Sequence, residues 1–380
     1  MERIYLDHAA TTPMDQRVVE AMNPVMTTIF GNPSSVHAFG RKARQYLDEA
    51  RRTMAKSIQA DEKEIVFTSG GTEADNLALI GTAMANRDKG NHIITTVQEH
   101  HAALDTAAYL EQQGFEVTYL SVDETGRMNP DELKAALRTE TILVSIMYVN
   151  NETGVIQPIE TVGDILKDHQ ASFHTDAVQA FGLLDIDVQQ LGVDLLTASS
   201  HKINGPKGIG FLYVSDAVKV EARQYGGEQE RKRRPGTENV AAAVGFQQAV
   251  ELALENKTDR GLMYRQFKAQ FMEQLAADGI TYEVNGKLDD TIASIVNLSF
   301  PGTHVEPLLT NFDLDGIAAS SGSACTAGSV EPSHVLVAMY DERDDRTTNS
   351  IRFSFGSFNT EENVIEAAKR VAKIVKRLTN

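Results

Sequence analysis

Two residues in the stretch from Phe173 to Gly210 are of types that can do chemistry together. Asp176 lies just past a short apolar run in FHTDAVQA, and Lys202 sits in a Ser-Ser-His-Lys turn before the Gly- and Pro-rich GPKGIG. A lysine amine can form a Schiff base, and an acid can keep a heteroaromatic nitrogen protonated. On successive strand ends of an α/β sheet, that pair is what pyridoxal phosphate chemistry requires. Singly, each residue is equally an ordinary solvated surface group, so the reading depends on what converges on them. One such stretch is Thr68-Ser69-Gly70-Gly71-Thr72-Glu73, which joins a strand to a helix. Glycines let backbone approach a ligand, and a helix start offers free N–H groups suited to a phosphate. Thr72 with Asp75 also fits a capping box, and an ordinary helix cap without a ligand explains the segment as well. The Gly205-Pro-Lys-Gly-Ile-Gly210 run precedes a strand rather than following one, so it is not read as a dinucleotide motif.

The elements that must position these residues alternate. EIVFTS, HIITT, FEVTYL, TILVSIMYV, SFHTD, DLLTAS and GIGFLYV read as strands, several of them apolar throughout, with helical patterns between most of them. Strands buried on both faces and alternating with helices predict a largely parallel sheet. The segment from Gly31 to Arg41 reads as a loop from its Gly, Asn, Pro and Ser content, with a charged amphipathic helix over about 43–59. Pro130 marks a helix first turn. From Asn239 the character changes: long helices lead into a second set of strands (ASIVNLSF, IAASS, SIRFSFG) and helices (VEPLLTNFD, SHVLVAMY, and one from Thr360). The expectation is an α/β protein with a large domain over 15–255 built on a mainly parallel seven-stranded sheet. A smaller α/β domain would combine 1–14 with 256–380, the IYLD strand packing with the latter.

At 380 residues, two cores are expected. A net charge of −17 argues against direct nucleic-acid or anionic-membrane binding, while leaving open a protein partner that itself binds RNA. The single cysteine, Cys325, excludes an intramolecular disulfide and fits a reducing, cytoplasmic setting. MERIYLDHAATTP lacks the apolar core of a secretory signal, and no apolar run reaches transmembrane length.

The ordered set YLDHAATTP, GNPSS, FTSGGTEADN, EHHA, VNNETGVIQPI, HTDAVQ, SSHKINGPKG, RPGTEN and SSGSACTAGS, from Tyr5 to Gly356, covers nearly the whole chain. It resembles the fold-type I, class V pyridoxal-phosphate enzymes and, within them, the NifS/IscS-like cysteine desulfurases. The resemblance implies that Lys202 carries the cofactor and shuttles a proton, and that Asp176 pairs with the pyridine nitrogen. Gln179 would reach the ring phenolic oxygen, with Asn151 near that oxygen or the substrate. His100 would stack on the ring and act in acid–base steps, and is preferred to His101 through alignment at Glu99. Gly71, Thr72, Ser199 and His201 would hold the phosphate. Thr237 would reach the neighbouring subunit's phosphate, which implies a homodimer. Arg352 would bind the substrate carboxylate through its forked guanidinium. Asn151 equally fits a capping asparagine, Arg352 a structural ion pair, and the basic run Arg231 to Arg234 a solvated loop. No metal is expected, because the His100-His101 pair lacks ligands at suitable spacing and Cys325 is far away in sequence.

Cys325 decides among class V reactions. It lies among Ser, Gly and Ala in a loop at about 318–332 that is expected to be mobile and exposed. In the implied reaction the Cys325 thiolate attacks the sulfur of cofactor-bound L-cysteine, alanine leaves, and Cys325 carries a persulfide for an acceptor protein. A proton acceptor is needed, because thiolate and not thiol attacks; His100 is the candidate. The SSGSAC form resembles the long-loop housekeeping group rather than the group suited to selenocysteine. The chain stops at Asn380, without the C-terminal docking segment of scaffold-linked relatives. A short-tailed member is therefore expected, serving a tRNA-thiolating enzyme, an iron–sulfur scaffold, or both. The alternatives are a selenocysteine lyase or class V aminotransferase on the same fold, and a non-enzymatic sulfur carrier or assembly factor.

Overall fold

The computed structural model describes residues 2–322 and 332–379. Its central sheet has seven strands in the spatial order Ile65–Thr68, Gly210–Val214, Leu195–Ser199, Ser172–Asp176, Thr141–Ser145, His92–Thr96, Glu116–Leu120. Only Gly210–Val214 runs antiparallel to its neighbours. The other pairs are parallel. Most of these strands are buried along their whole length, as the unbroken apolar runs predicted. Because five adjacent strands point the same way, the segments after Thr96, Ser145, Asp176 and Ser199 all leave from one edge of the sheet. Gly210 pairs with both Thr68 and Ser199, which brings the start of the antiparallel strand to that same edge. The carboxyl edge of such a sheet is where α/β proteins bind ligands.

A three-stranded antiparallel sheet, ordered Ser350–Ser354, Ile295–Ser299, Glu283–Val284, forms a second centre, and Ile4–Tyr5 pairs in parallel with Ile317–Ala318. The second centre has its own buried core of aromatic rings, in which Phe271 and Phe353 lie 4.7 Å apart between centroids. Each such pair contributes about 0.5–1.5 kcal/mol beyond the area it buries. Helices Val240–Glu255 and Lys257–Ala277 lead from the first centre to the second.

Two local expectations are corrected. The predicted loop over Gly31 to Arg41 ends early: a helix runs from Ala38 to Ser57. His37 caps it by accepting a hydrogen bond from Gly40 N at 3.2 Å, and a side chain at Gly40 would collide with the Ser35 carbonyl. The glycine read as a loop signal is there for close backbone packing. The Thr72–Asp75 capping box does not form either. The helix Gly71–Ala85 starts after Gly70, with no side-chain cap, and Asp75 is turned into the core. Glu73 instead closes the turn by accepting from Ser69 N at 2.7 Å and pairs with Arg234.

Candidate active site

At the sheet's carboxyl edge Lys202 and Gln179 meet the N-terminal residues, and Asp176, His100 and Lys202 lie close enough for their charges to act on one another. Lys202 ends a single helical turn, Ser200–Lys202, directly after the strand Leu195–Ser199. Its Nζ donates to the carbonyls of Ala9 and Ala10, the latter at 2.9 Å. Gln179 Nε2 also donates to Ala9 O, at 2.9 Å. The turn after Tyr5 is thus pinned to both residues, and Thr12 continues the contact through the His201 carbonyl at 2.7 Å. These backbone partners lie far away in sequence and carry no side-chain signal that could have announced them.

Asp176 ends its strand and is buried, with Oδ1 accepting from Val178 N at 2.8 Å. Burial pushes its carboxyl up, and the charges of His100 and Lys202 and the Val178 N–H pull it back. A cation close to this carboxylate favours its ionised form, the form that could hold a protonated ring nitrogen. Beneath it is a polar layer that the sequence reading missed. Thr197 is the strand partner of Asp176, and its hydroxyl meets His174 Nε2 at 3.1 Å. His174 lies 3.6 Å from Asp75. Burial drives the His174 imidazole down to about 3 and the Asp75 carboxyl well up, so burial disfavours charge on both.

His100 is the N-cap of the helix His101–Gln112, and its Nδ1 accepts from Ala102 N at 3.1 Å. Burial pushes its imidazole down, opposed by Asp176 and aided by Lys202, His101 and His334. In its neutral form a ring whose Nδ1 accepts this hydrogen bond carries its proton on Nε2. His101 is half-exposed and faces His334, 4.8 Å between ring centroids.

Glu99, beside His100, is fully buried. Its Oε1 accepts from Thr96 Oγ1 at 2.7 Å and from Met147 N at 2.9 Å, and burial raises its carboxyl to about 8. The folded protein holds this proton up to about pH 8, while an unfolded chain releases it above about 4.5. Glu99 therefore takes stability away as pH rises between those values. A Glu99→Gln variant should be less sensitive to alkali: from pH 5 to 8.5 its urea midpoint should fall less than that of the wild-type chain. Equal falls would show that Glu99 is already ionised in the fold.

The predicted phosphate residues divide. Ser199 is buried, and its hydroxyl has no hydrogen-bond partner among the described residues. A Cβ on Gly70 would lie 4.0 Å from that hydroxyl, and one on Gly210 would lie 2.9 Å from the Gly70 Cα. Gly70 has φ 155°, which side chains rarely adopt. Gly71 opens the helix beside Val178 and Thr197. An orphaned hydroxyl, a helix start without a side-chain cap and close-packed glycines fit a phosphate group. His201 is half-buried with Nδ1 3.1 Å from Thr11 Oγ1, and burial lowers it to about 4. Thr72 is exposed. Thr237 is exposed too, in a cleft shared with Thr68, Ser69 and Arg234 of its own chain. That segment follows three consecutive left-handed residues, Glu230, Arg231 and Lys232. Their conformation is held by the buried, two-pronged Arg51–Glu230 pair, at 2.6 Å for each bond.

Arg352 is buried on the strand Ser350–Ser354. Its Nη1 donates to Asn151 O at 2.8 Å and its Nη2 to Asp7 Oδ1 at 2.9 Å, while Nε is buried without a hydrogen bond among the described residues. Asn151 thus meets Arg352 through its backbone. Asp7 lies within the YLDHAATTP motif, but its partner is at the far end of the chain, so the sequence reading did not single it out. Cys325 lies outside the described residues, and among the described residues no cluster of three potential metal-binding side chains occurs.

A sequence profile of the family "Aminotransferase class-V" matches residues 4–366. The "Putative cysteine desulfurase IscS 1" of Bacillus subtilis (strain 168) is 58% identical over 379 residues, with 100% of both chains covered. The "Cysteine desulfurase IscS" of Methanosarcina thermophila is 48% identical, covering 99% of this chain and 93% of that one. Among solved structures, a "NIFS-LIKE PROTEIN" superposes with a TM-score of 0.92 at 34% identity, covering 99% of this chain and all of that one. One described as "SspA in complex with cysteine" reaches 0.83 at 35% identity, covering 94% and 99%.

Proposed function

The chain belongs to the class-V aminotransferase family, and from that premise we propose that it is a pyridoxal-phosphate-dependent cysteine desulfurase. The observation that carries the cofactor half is the convergence of Lys202, Asp176 and His100 at one edge of the sheet beside the Gly70–Ser199 cradle. When bound, the cofactor supplies an electron sink for the substrate's α-carbon. In this reading Lys202 Nζ would be the covalent anchor, Asp176 would hold a proton on the ring nitrogen, and His100 would stack on the ring and act in acid–base steps. Gly71, Thr72, Ser199 and His201 hold the phosphate, and Gln179 and Asn151 border the ring. Arg352 takes the substrate carboxylate through donors left over from Asp7 and Asn151.

Cys325 supplies the chemistry that selects the reaction. L-Cysteine and the Cys325 thiol become L-alanine and a Cys325 persulfide: the substrate Cβ–S bond breaks, an S–S bond forms, and the carbon gains the proton that the sulfur chemistry releases. Alanine formation from L-cysteine, matched by persulfide on Cys325, tests this. Transamination of a 2-oxoacid without alanine release from cysteine overturns it.

The same reading includes a sulfur-acceptor protein, a tRNA thiouridylase or an iron–sulfur scaffold. It includes a cytoplasmic setting, consistent with the lack, among the described residues, of any helix long and apolar enough to cross a membrane. It divides the chain into 15–255 and 1–14 with 256–380, supported by two separate cores. It also includes a homodimer. Phe30, Val36 and Phe39 are 72%, 87% and 58% exposed, and the two phenylalanine rings stack 5.2 Å apart, an apolar surface that a second copy would cover. Thr72 and Thr237 are exposed as well, as a site shared between copies requires. Sedimentation should give twice the chain mass of 41.6 kDa, and a Phe30→Asp/Phe39→Asp variant should sediment as a monomer with weakened cofactor binding. A monomeric wild-type chain would sink the shared site.

A further inference from the structure

Just past Lys202, one side chain joins segments that no role above connects. Asn204 is 4% exposed and has φ 65°, a left-handed conformation that asparagine adopts more readily than most side chains. Its N–H donates to Thr12 Oγ1 at 2.8 Å, and its carbonyl accepts from Asp15 N at 2.9 Å. Its Nδ2 donates to Pro13 O at 2.9 Å. Its Oδ1 takes two donors from the second centre, Arg260 Nη2 at 2.7 Å and Ser357 Oγ at 3.2 Å. Arg260 stands in the first turn of the helix Lys257–Ala277. Ser357 follows the strand Ser350–Ser354, which carries Arg352.

A buried amide whose polar atoms are all engaged is costly to disturb, and a bond from a guanidinium is of the stronger, charge-assisted kind. Both ends of the connection are firm. On the lysine side, Thr12 Oγ1 donates to the His201 carbonyl just before Lys202 at 2.7 Å. On the arginine side, Ser354 N donates to Leu6 O at 2.8 Å, and a Cβ on Gly356 would lie 2.2 Å from His8 Nδ1. Between the two ends is a small cavity lined by Lys202, Asn204, Arg260, Tyr264 and Ser354. Close packing therefore does not by itself fix their separation there, and the Asn204 side chain bridges it.

We propose that Asn204 is a positioning residue whose side chain locks Arg260 and Ser357 to the Lys202 turn and so sets the separation of Lys202 and Arg352. A substrate whose amine reacts at the Lys202 end and whose carboxylate reaches Arg352 needs that separation held. Misplacement of a reacting group by about 1 Å costs up to about 100-fold. The proposal rests on those two roles, so one arm of its test works without cofactor or substrate.

Asn204→Gly removes the side chain while leaving the left-handed backbone accessible, and Arg260→Met removes the donor but keeps an aliphatic stem. Each variant is read on the opposite segment. In the cofactor-free full-length protein, hydrogen exchange over 355–359 should rise about tenfold in Asn204→Gly, and over 200–206 about tenfold in Arg260→Met. The distant strand Glu116–Leu120 should be unchanged in both. In the cofactor-loaded protein the visible band should persist. L-Alanine and ethylamine differ only by the carboxylate, so the ratio of their dissociation constants, read from the shift of that band, measures the reach to Arg352. The preference for L-alanine should fall about tenfold in each variant, and the double variant should lose no more than about twice what the worse single one loses, because both break one contact. Exchange on the opposite segment within about twofold of wild type in either variant overturns the proposal. So does equal weakening of both ligands, which marks a general loss of fold, and so does fully additive loss in the double variant. A wild-type chain that binds the two ligands equally removes Arg352 from the carboxylate role, and the exchange arm then judges the lock on its own.

Discussion

Replacing Lys202 by alanine is expected to remove the visible cofactor absorption and to lower alanine release by at least about 10³-fold, the scale seen when a covalent catalytic group is lost. The lysine sits where one amine can serve both anchoring and proton transfer. It follows a buried strand, its charge acts on both Asp176 and His100, and its Nζ is fixed by the carbonyls of Ala9 and Ala10. Arginine should not substitute, because a guanidinium stays protonated and cannot form the covalent link. Loss of the amine leaves those carbonyls without this donor, so a stability cost of about 1–3 kcal/mol should accompany the loss of function. The chain should nevertheless remain folded, since its two cores do not depend on this side chain. Absorption spectroscopy with a denaturation curve separates these effects. A Lys202→Ala protein that keeps the cofactor band, or releases alanine at the normal rate, contradicts the assignment.

Replacing Cys325 by serine should have the opposite spectroscopic signature. The cofactor band and its response to L-cysteine should persist, while alanine release and protein-bound persulfide fall by at least about 10³-fold. The reason is chemical. A thiolate is a strong nucleophile toward sulfur, whereas a serine hydroxyl ionises far above neutral pH and does not form a stable bond to sulfur. The two variants together should divide the protein's work, with Lys202 needed for any reaction on the cofactor and Cys325 only for removal of sulfur. Normal alanine release by Cys325→Ser would require another sulfur acceptor and would end the persulfide mechanism.

Much of the architecture was legible because its signal is local. Apolar strands of unbroken hydrophobicity, alternating with helices, predicted the seven-stranded sheet, and its members were found where their composition placed them. The errors came from residues whose types have two uses. Gly40 looked like a loop residue because its tight packing against Ser35 is invisible in a linear pattern. Asp75 had capping spacing, yet its side chain belongs to the buried layer with His174.

By itself the sequence determined the chemistry on offer: one lysine after a strand, one acid at the end of another, a glycine-rich strand–helix junction, and a single thiol, in an order characteristic of one family. Residue type and local spacing suffice for that, because the kind of functional group and the backbone freedom are carried by each residue. Only the tertiary structure decided which groups meet. The Ala9 and Ala10 carbonyls on Lys202, Asp7 on Arg352, and Asn204 between Arg260 and Ser357 all join segments far apart in the chain. Such pairings depend on how packed layers bring distant turns to one edge of a sheet. The low-dielectric interior created there then sets their protonation, a property of the assembled site rather than of any stretch of sequence.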